Sequence, residues 1–239
     1  MSEKGTLYLI PCLLGDVPAN HGIPAYNLEI INSLSEFIVE NVRSARRFLI
    51  KCNITTPIDE LIFHTLNEHT NPQHITTYLN NAMQGRNIGL LSEAGCPGIA
   101  DPGAGIVQLA HRKNIKVVPL SGPSSIFMAL MASGLNGQKF TFYGYLPKQK
   151  NDRVVKLKQL EAAAKKENSA HIFIEAPYRN DALLNDILET CNNETLLCIA
   201  ADISLNSEQV RTCTIGEWKT QRTSLNNRPA VFIIGSRSV

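Results

Sequence analysis

The sequence predicts an α/β protein built from two domains, each with its own sheet. Short apolar runs bounded by Gly and Pro alternate with segments whose apolar residues recur at helical spacing, as expected for strands separated by helices. The first half shows such runs at Thr6–Ile10, Ile88–Leu91 and Ile115–Leu120. In the second half, Thr195–Ala201 and Gln209–Thr214 follow one another closely, which predicts a mixed rather than a purely parallel sheet there.

Length and composition agree with two globular domains. The chain has 239 residues, of which 44% are hydrophobic and 18% charged, enough to bury a sizeable core. A net charge of +2 excludes a general polyelectrolyte, so a nucleic-acid partner would need local clusters of basic residues. A change of texture near residues 117–123 predicts an N-terminal domain over 1–118 and a C-terminal domain over 119–239.

The cysteines and the ends of the chain point to a cytoplasmic protein. The six cysteines form no C-x-x-C pair and no metal-binding spacing with histidine, which predicts reduced and mostly buried thiols. No secretory signal opens the sequence, and no apolar run reaches the roughly 18 residues that span a bilayer. We therefore expect no association with a membrane.

Turn-forming residues bound each element of the first half. Pro11 ends the first strand, Asn71-Pro72 begins a helix, and Gly85 ends it. The predicted strands are Thr6–Ile10, Phe37–Val39, Leu61–Leu66, Ile88–Leu91 and Ile115–Leu120. The predicted helices are Ala25–Leu34, Glu40–Ile50, Asn71–Ala82 and Ile106–Ala110.

The second half repeats the alternation with a different texture. It opens on a helix with seven consecutive apolar residues, 126–132, which predicts that this helix is buried because the run is too short for a bilayer. Two later helices have core positions at Leu157 and Leu160 and at Leu183 and Ile187. The predicted strands are Thr141–Leu146, Ser169–Glu175, Thr195–Ala201, Gln209–Thr214 and Ala230–Ile234.

The loop after Ile88–Leu91, with the sequence S-E-A-G-C-P-G-I-A-D-P-G, carries the clearest sign of function. Gly95 and Gly98 let main chain approach a ligand closely, while Pro97 and Pro102 stiffen the loop. Ligands of open α/β sheets lie beyond the carboxyl ends of the strands. We therefore predict a cofactor-binding loop rather than an ordinary connection, in a cleft between the two domains.

Three other features leave alternatives open. Ser124 and Ser125 begin the apolar helix, where they either cap it or help present its amides to a ligand carboxylate. Arginines on one predicted helix form a basic stripe that is either solvated or in contact with phosphate: Arg43, Arg46 and Arg47. Three histidines five residues apart do not share a helix or strand face, so we expect no metal site: His64, His69 and His74.

Several segments together resemble the tetrapyrrole methylase superfamily, and within it the branch that methylates a cytidine ribose 2′-oxygen of small-subunit ribosomal RNA. The loop S-E-A-G-C-P-G-I-A-D-P-G is similar to the signature S-D-A-G-T-P-x-I-S-D-P-G of that superfamily. P-L-S-G-P-S-S, Y-G-Y-L-P, I-E-A-P-Y-R and the closing R-P-A-V-F-I-I-G are similar to segments of the same branch. The matches run in order from Gly5 to Gly235, over nearly the whole chain.

The resemblance implies an S-adenosylmethionine-dependent methyltransferase, usually a homodimer, with ribosomal RNA or the small ribosomal subunit as a partner. By position, the implied donor-binding residues are Leu14, Gly15, Glu93, Ala94, Gly95, Cys96, Ser124, Ser125, Ile126, Leu146, Pro229 and Ala230. Methyl transfer depends mainly on alignment of donor and nucleophile, and amides at glycines and at a helix start suit the donor's carboxylate.

The acceptor-side segments depart from the pattern of the branch. Glu40-Asn41-Val42-Arg43 stands where the branch has E-D-T-R, and Ala201-Asp202-Ile203-Ser204-Leu205 where it has R-E-L-T-K. No motif fixes a catalytic base. Asp16, Glu40 and Arg43 are candidate catalytic residues of the acceptor side, with an RNA ribose as the first candidate acceptor. A tetrapyrrole or other small molecule is the alternative acceptor, and a non-catalytic paralogue that binds the donor is a third hypothesis. A nicotinamide-dependent enzyme is disfavoured, because no G-x-G-x-x-G follows a strand.

Overall fold

A computed structural model describes residues 3–221 and 223–236, and the chain divides into two compact units, Met1–Ser124 and Ser125–Val239. Each unit is an α/β structure with its own sheet, which confirms the predicted fold class. The boundary between the units, after Ser124, lies a few residues beyond the boundary predicted after residue 118. The reason is that the fifth strand, Lys116–Pro119, pairs with Thr6–Ile10 and so belongs to the first unit.

The first unit contains a wholly parallel sheet in the order β3-β2-β4-β1-β5. Helices cover both faces of this sheet, which accounts for the uninterrupted burial of β2 and β4. Its strands are β1 (Thr6–Ile10), β2 (Glu36–Val39), β3 (Ile62–Thr65), β4 (Ile88–Leu91) and β5 (Lys116–Pro119). All five lie within a residue or two of the predicted strands.

The helices of the first unit fall into two groups, one on each face of the sheet. Helices α1 (Ala25–Asn32) and α2 (Val42–Lys51) pack in one core, whose strand residues include Ile10 and Phe37. The second core holds Leu7 and Ile88 with residues of the other three helices. These helices are α3 (Pro72–Ile75), α4 (Asn80–Met83) and α5 (Gly103–Arg112).

The helix predicted over Asn71–Ala82 is two short helices, α3 and α4, with a break between them. The hydroxyl of Thr76 donates to the carbonyl of Gln73 at 2.7 Å, and that of Thr77 donates to the carbonyl of His74 at 2.7 Å. Threonine hydroxyls that bond the preceding turn compete with regular helical hydrogen bonds, which explains the interruption.

The second unit contains a mixed sheet in the order β6-β7-β10-β8-β9, as predicted. Among the described strands of this second sheet, only β6 and β7 pair in parallel, and the remaining neighbours are antiparallel. Stacked rings of Phe173 and Phe232, 5.9 Å apart, lie in its core. Its strands are β6 (Phe140–Tyr145), β7 (Ala170–Ile174), β8 (Leu196–Ala201), β9 (Gln209–Thr214) and β10 (Ala230–Gly235).

Among the helices of the second unit, the burial of one was predicted wrongly and another was not predicted at all. The apolar helix α6 (Ser125–Ser133) is not buried throughout, because a helix packed on one side of a sheet turns its other residues outward: Phe127 is 50% exposed and Met131 83%. The unpredicted helix, α9 (Ile215–Lys219), begins with a capping box between Thr214 and Glu217. The other helices are α7 (Lys150–Glu167) and α8 (Asn180–Thr190).

Two further observations concern the cysteines and the helices as a set. Five of the six free cysteines are buried and Cys96 is half-buried, which confirms the prediction of mostly buried thiols.

No helix within residues 3–221 and 223–236 combines the length and the apolar character needed to cross a membrane.

Candidate functional site at the loop edge of the parallel sheet

The topology of the first unit singles out one place on its sheet. Strand β1 continues through α1 on one face to β2, whereas its neighbour β4 continues through α5 on the opposite face to β5. The connections after these adjacent strands therefore diverge. In open α/β sheets the crevice at such a reversal is where ligands bind. The candidate site thus lies between the loop after β1 and the loop after β4.

Main-chain hydrogen bonds join these two loops directly. The amide of Cys12 donates to the carbonyl of Gly95 at 2.9 Å, and the amide of Gly95 donates back to Cys12 at 3.0 Å. The hydroxyl of Ser92 donates to the same Gly95 carbonyl at 2.7 Å. Gly95 has φ +72°, a conformation that side-chain-bearing residues adopt only with strain. The glycine therefore fixes the turn that connects the two loops.

A half-buried carboxylate shapes the rest of the loop after β4. One oxygen of Asp101 accepts hydrogen bonds from the amides of Gly98 at 2.8 Å and Gly103 at 2.7 Å. Burial raises the pKa of Asp101, and these two amides oppose that rise. Asp101 thus closes the loop onto the first turn of α5, a structural role that the sequence analysis did not assign. The sequence feature that could have indicated this role is an Asp two residues before the glycine that begins a helix.

The loop after β5 packs against the other two loops. A Cβ atom on Gly122 would lie 2.4 Å from the Cβ of Pro11, so only glycine fits there. The side-chain amide of Asn27 donates to the carbonyl of Ser121 at 2.7 Å, and the thiol of Cys96 lies 3.5 Å from the carbonyl of Pro123. Three loops thus meet at one edge of the parallel sheet.

A cavity of about 670 Å³ opens at this edge, between the loops and helix α2. Its volume is within the range of small-molecule sites. Loop residues that line it are Cys12, Leu13, Leu14, Gly15, Asp16, Ser92, Glu93 and Ala94, and those from α2 are Ser44, Ala45, Arg47, Phe48, Ile50 and Lys51.

A second cavity of about 560 Å³ adjoins the first and shares Glu93 with it. Its other lining residues are Glu40, Asn41, Asn67, Glu68, His69 and Pro102. Burial raises the pKa of Glu40, and the neighbouring carboxylates Glu93, Asp101 and Glu68 raise it further. This part of the edge therefore has a negative potential, which favours a cationic group over an anionic one.

Comparison with known proteins identifies the family. The family model for tetrapyrrole (corrin/porphyrin) methylases matches residues 26–219. The chain belongs to the tetrapyrrole methylases. The resemblance found in the sequence is therefore confirmed, as is the prediction that the protein is a methyltransferase.

Curated relatives and solved structures agree with this assignment. The chain is 31% identical over 222 residues to the ribosomal RNA small subunit methyltransferase I of Vibrio cholerae, covering 93% of this chain and 73% of that protein. It is 32% identical over 216 residues to the protein of that name from Bacillus subtilis, covering 90% and 70%. The methyltransferase CobJ has the same fold, with a TM-score of 0.66, 16% identity and coverage of 98% and 97%.

The predicted donor residues of the first unit are gathered at the loop edge. Leu14, Gly15, Glu93 and Ala94 line the larger cavity. Gly95 and Cys96 lie in the turn that joins the loops, and Ser124 follows the loop after β5. The sequence motifs were thus enough to select residues that the fold brings together. Their contact with a donor remains a prediction.

The predicted donor residues of the second unit lie at the start of α6 and at one edge of the mixed sheet. Ser125 and Ile126 begin α6. Leu146 follows β6, and Pro229 with Ala230 leads into β10, which places both segments at the same edge because β6 and β10 run in opposite directions. Leu146, Ala230 and Ile126 are buried, so main chain is what they could offer a ligand. Their role also remains a prediction.

The candidate catalytic residues are separated along the edge of the first unit. Asp16 lines the larger cavity and forms an ion pair with Lys51, which lowers the pKa of Asp16. Glu40 lines the second cavity. Arg43 lies in the first turn of α2, is exposed, and lines neither of these two cavities. Their catalytic role stays a prediction.

The histidines considered for a metal site serve the fold or are exposed. His64 lies 2.7 Å from the buried carboxylate of Glu36 and stacks on Tyr78, while His69 and His74 are exposed. Within the part of the chain that the structure describes, no group of three or more potential ligands is arranged to hold a metal ion.

Long-range contacts that the sequence analysis did not find hold the segment around Pro229. The side-chain amide of Asn180 donates to the carbonyl of Arg228 at 2.6 Å, and the amide of Asp202 donates to the carbonyl of Pro229 at 2.9 Å. The guanidinium of Arg228 donates to the carboxylate of Asp202 at 2.8 Å. Partners this distant in sequence leave no local pattern from which they could have been predicted.

Proposed function

We propose that the protein transfers a methyl group from S-adenosylmethionine to a ribose 2′-hydroxyl of small-subunit ribosomal RNA. The observation that carries the proposal is the similarity to curated ribosomal RNA small subunit methyltransferases I over about nine-tenths of the chain. The loop edge of the first unit supports it, because the motif residues implied in donor binding line one cavity there.

The chemistry of the loop edge fits a sulfonium nucleoside. When bound, S-adenosylmethionine would supply a methyl group on a cationic sulfonium, which a nucleophile displaces in line. Glu93, an exposed carboxylate that lines both cavities, suits the positive charge. Gly15 exposes main chain at the cavity wall, where backbone can approach a ligand closely. The joined loops supply the rigidity on which alignment of two reactants depends.

On the acceptor side, we propose that Glu40 is the strongest of the three candidates. Its raised pKa makes its carboxylate a better proton acceptor than an ordinary glutamate, which suits removal of a hydroxyl proton. Asn41, which stands where the related branch has Asp, accepts hydrogen bonds from the amides of Arg43 at 2.9 Å and Ser44 at 3.3 Å. Asn and Asp cap helices equally well, so this departure removes a charge but keeps the helix start.

The resemblance to the ribosomal branch also supports two proposals about the state of the protein. We propose that it works as a homodimer and that it is located in the cytoplasm, where ribosomal subunits are found. Light scattering during size-exclusion chromatography would test the first proposal. A mass of one chain at the working concentration would contradict it.

The test of the proposed function is transfer of label from methyl-labelled S-adenosylmethionine to isolated small ribosomal subunits. We expect label in the ribosomal RNA, as alkali-resistant 2′-O-methyl ribose, and a large loss of transfer for Glu40→Gln. The matched control is Glu68→Gln, which removes an exposed carboxylate from the same cavity. Donor binding without label in RNA would contradict the RNA proposal and favour a small-molecule acceptor or a non-catalytic paralogue.

A further inference from the structure

We infer that one face of helix α2, formed by Ser44, Arg47 and Lys51, is a subsite for a backbone phosphate of the RNA substrate. This inference rests on the proposed function and names the part of the protein that holds the acceptor strand beside the donor-binding loops.

Helical spacing brings the three side chains together. Residues 44, 47 and 51 are three and four positions apart, so they share one face of α2, and all three line the cavity of about 670 Å³. Leu49, on another side of the same helix, is buried in the core and does not line the cavity. The loop wall of that cavity includes Leu14, Gly15, Glu93 and Ala94, the residues implied in donor binding. A strand held on this face of α2 would therefore lie next to the donor side.

Among the arginines of α2, the structure distinguishes Arg47 from Arg46. Arg46 lies 3.6 Å from Asp59 and over the ring of Phe63 at 5.7 Å, and it does not line the cavity. Arg47 is exposed, lines the cavity, and has no ion pair or hydrogen bond with any described residue. A guanidinium without a partner can bind a phosphate through two parallel hydrogen bonds.

The neighbouring cation, Lys51, is already paired with a carboxylate. Lys51 contacts Asp16, whose side chain is 95% exposed, so the partner carboxylate can move into solvent when a phosphate approaches. Arg47 also attracts this carboxylate, as shown by its contribution to the lowered pKa of Asp16. The pair therefore sets up an exchange in which phosphate replaces Asp16 beside both cations.

The shape of the surface favours a polymer over a compact anion. A third cavity, of about 590 Å³, shares Asp16 and Lys51 with the larger one and continues beside residues 17–20. The Asp16–Lys51 pair therefore stands where the two spaces adjoin. An extended strand can occupy both sides of that junction, with a phosphate at the junction itself. Under the proposed function, the extended polymer that carries phosphates is the RNA substrate.

The test is the salt dependence of binding of a fluorescently labelled single-stranded RNA oligonucleotide to the full chain. Each lost phosphate contact lowers the slope of log K against log salt by about 0.7 for single strands. We expect that decrease for Arg47→Gln, with binding about fivefold weaker near 0.1 M salt. Arg46→Gln, which removes the same charge from the same helix, should leave the slope unchanged, and Arg47→Lys should retain most of it.

Three results would overturn the inference. Equal slopes for Arg47→Gln and Arg46→Gln, with normal binding by the unmodified protein, would refute the subsite but leave the proposed function intact. Weaker binding of S-adenosylmethionine by Arg47→Gln in calorimetry, with unchanged RNA binding, would assign Arg47 to the donor instead. Absence of binding to both the oligonucleotide and small ribosomal subunits by the unmodified protein would refute the RNA proposal and the subsite together.

Discussion

The two units hold their loops in place by different means. In the first unit, main-chain bonds between Cys12 and Gly95 and amide bonds to Asp101 join the loops. In the second unit, arginine side chains add to main-chain bonds such as that from the amide of Asp202 to the carbonyl of Pro229. Arg153 donates to the carbonyls of residues 147 and 148 and to Asp186, and Arg228 donates to Asp202 and to the carbonyl of Ser207.

This difference has consequences for stability and for function. A loop fixed by main chain depends on backbone conformation, so glycine positions are its sensitive points. A loop fixed by a buried ion pair depends on both charged partners, because loss of one leaves the other charge buried without compensation. The parallel sheet also places all its strand ends at one edge, whereas the mixed sheet does not. Substitutions that attack each kind of anchor separately can test this comparison.

The largest effect is expected at the ion pair of the second unit. The side chains of Arg153 and Asp186 are only 11% and 5% exposed. Arg153→Met should lower the free energy of unfolding by about 3 kcal/mol, because Asp186 would stay buried without its main partner. The control is Lys150→Met, which removes an exposed neighbour of Asp186 and should cost less than about 1 kcal/mol. Urea denaturation would measure both, and equal losses would contradict the assigned role of Arg153.

The next effect is expected at the glycine turn of the first unit. Gly95→Ala should lower the free energy of unfolding by about 1–2 kcal/mol, since φ +72° is unfavourable for any residue with a Cβ atom. The matched control is Gly105→Ala, because Gly105 lies inside α5 and the added methyl group would meet no atom within 4 Å beyond the backbone of its own helix and its chain neighbours. That control should stabilise by up to about 1 kcal/mol. Urea denaturation would measure both variants. A change of the same sign in the free energy of unfolding for both would show that the turn does not require glycine at position 95.

A smaller effect is expected from the acidic cavity. The pKa of Glu40 is raised in the folded state above its ordinary value of 4.5, first by burial and then by neighbouring carboxylates. The folded protein therefore holds this proton more tightly than the unfolded chain does. Its contribution to stability is greatest below pH 4.5 and is lost as pH rises from that value through the folded pKa. Glu40→Gln should remove this part of the pH dependence, as measured by unfolding at a series of pH values. An unchanged pH profile would contradict the assigned environment.

The smallest effect on the fold is expected at the exposed pair of Asp16 and Lys51. Asp16→Asn should leave the midpoint of urea denaturation unchanged, since exposed ion pairs contribute little to stability. It should nevertheless tighten binding of the RNA oligonucleotide about fivefold, because Lys51 would no longer have a competing carboxylate. Weaker binding of RNA by this variant would contradict the proposed exchange.

The fold could be predicted from the sequence to a large extent because local patterns determine most of it. Strands such as Thr6–Ile10 and Ile88–Leu91 are recovered residue for residue, since apolar runs between turn formers identify them. The errors fall where a competing local effect decides the outcome. The hydroxyls of Thr76 and Thr77 interrupt a predicted helix, and α6 exposes Met131 although residues 126–132 are all apolar.

The candidate site could be predicted only in part. The glycine-rich loop after β4 was identified because its composition is unusual and because it matches a known family. Gly15 was assigned to the site through the family resemblance. The contacts that hold them, such as Cys12 with Gly95, join residues far apart in sequence and follow only from the strand order. The separation of Arg47 from Arg46 likewise depends on Asp59 and Phe63, which no pattern within α2 indicates.

The most direct test of the account is calorimetric titration of S-adenosylmethionine into the protein and into its two glycine variants. We expect that the unmodified protein binds the donor, that Gly105→Ala binds it with the same affinity, and that Gly95→Ala binds it at least tenfold more weakly. Equal affinities for all three proteins, or no binding by the unmodified one, would contradict the claim that the joined loops of the parallel sheet hold the methyl donor.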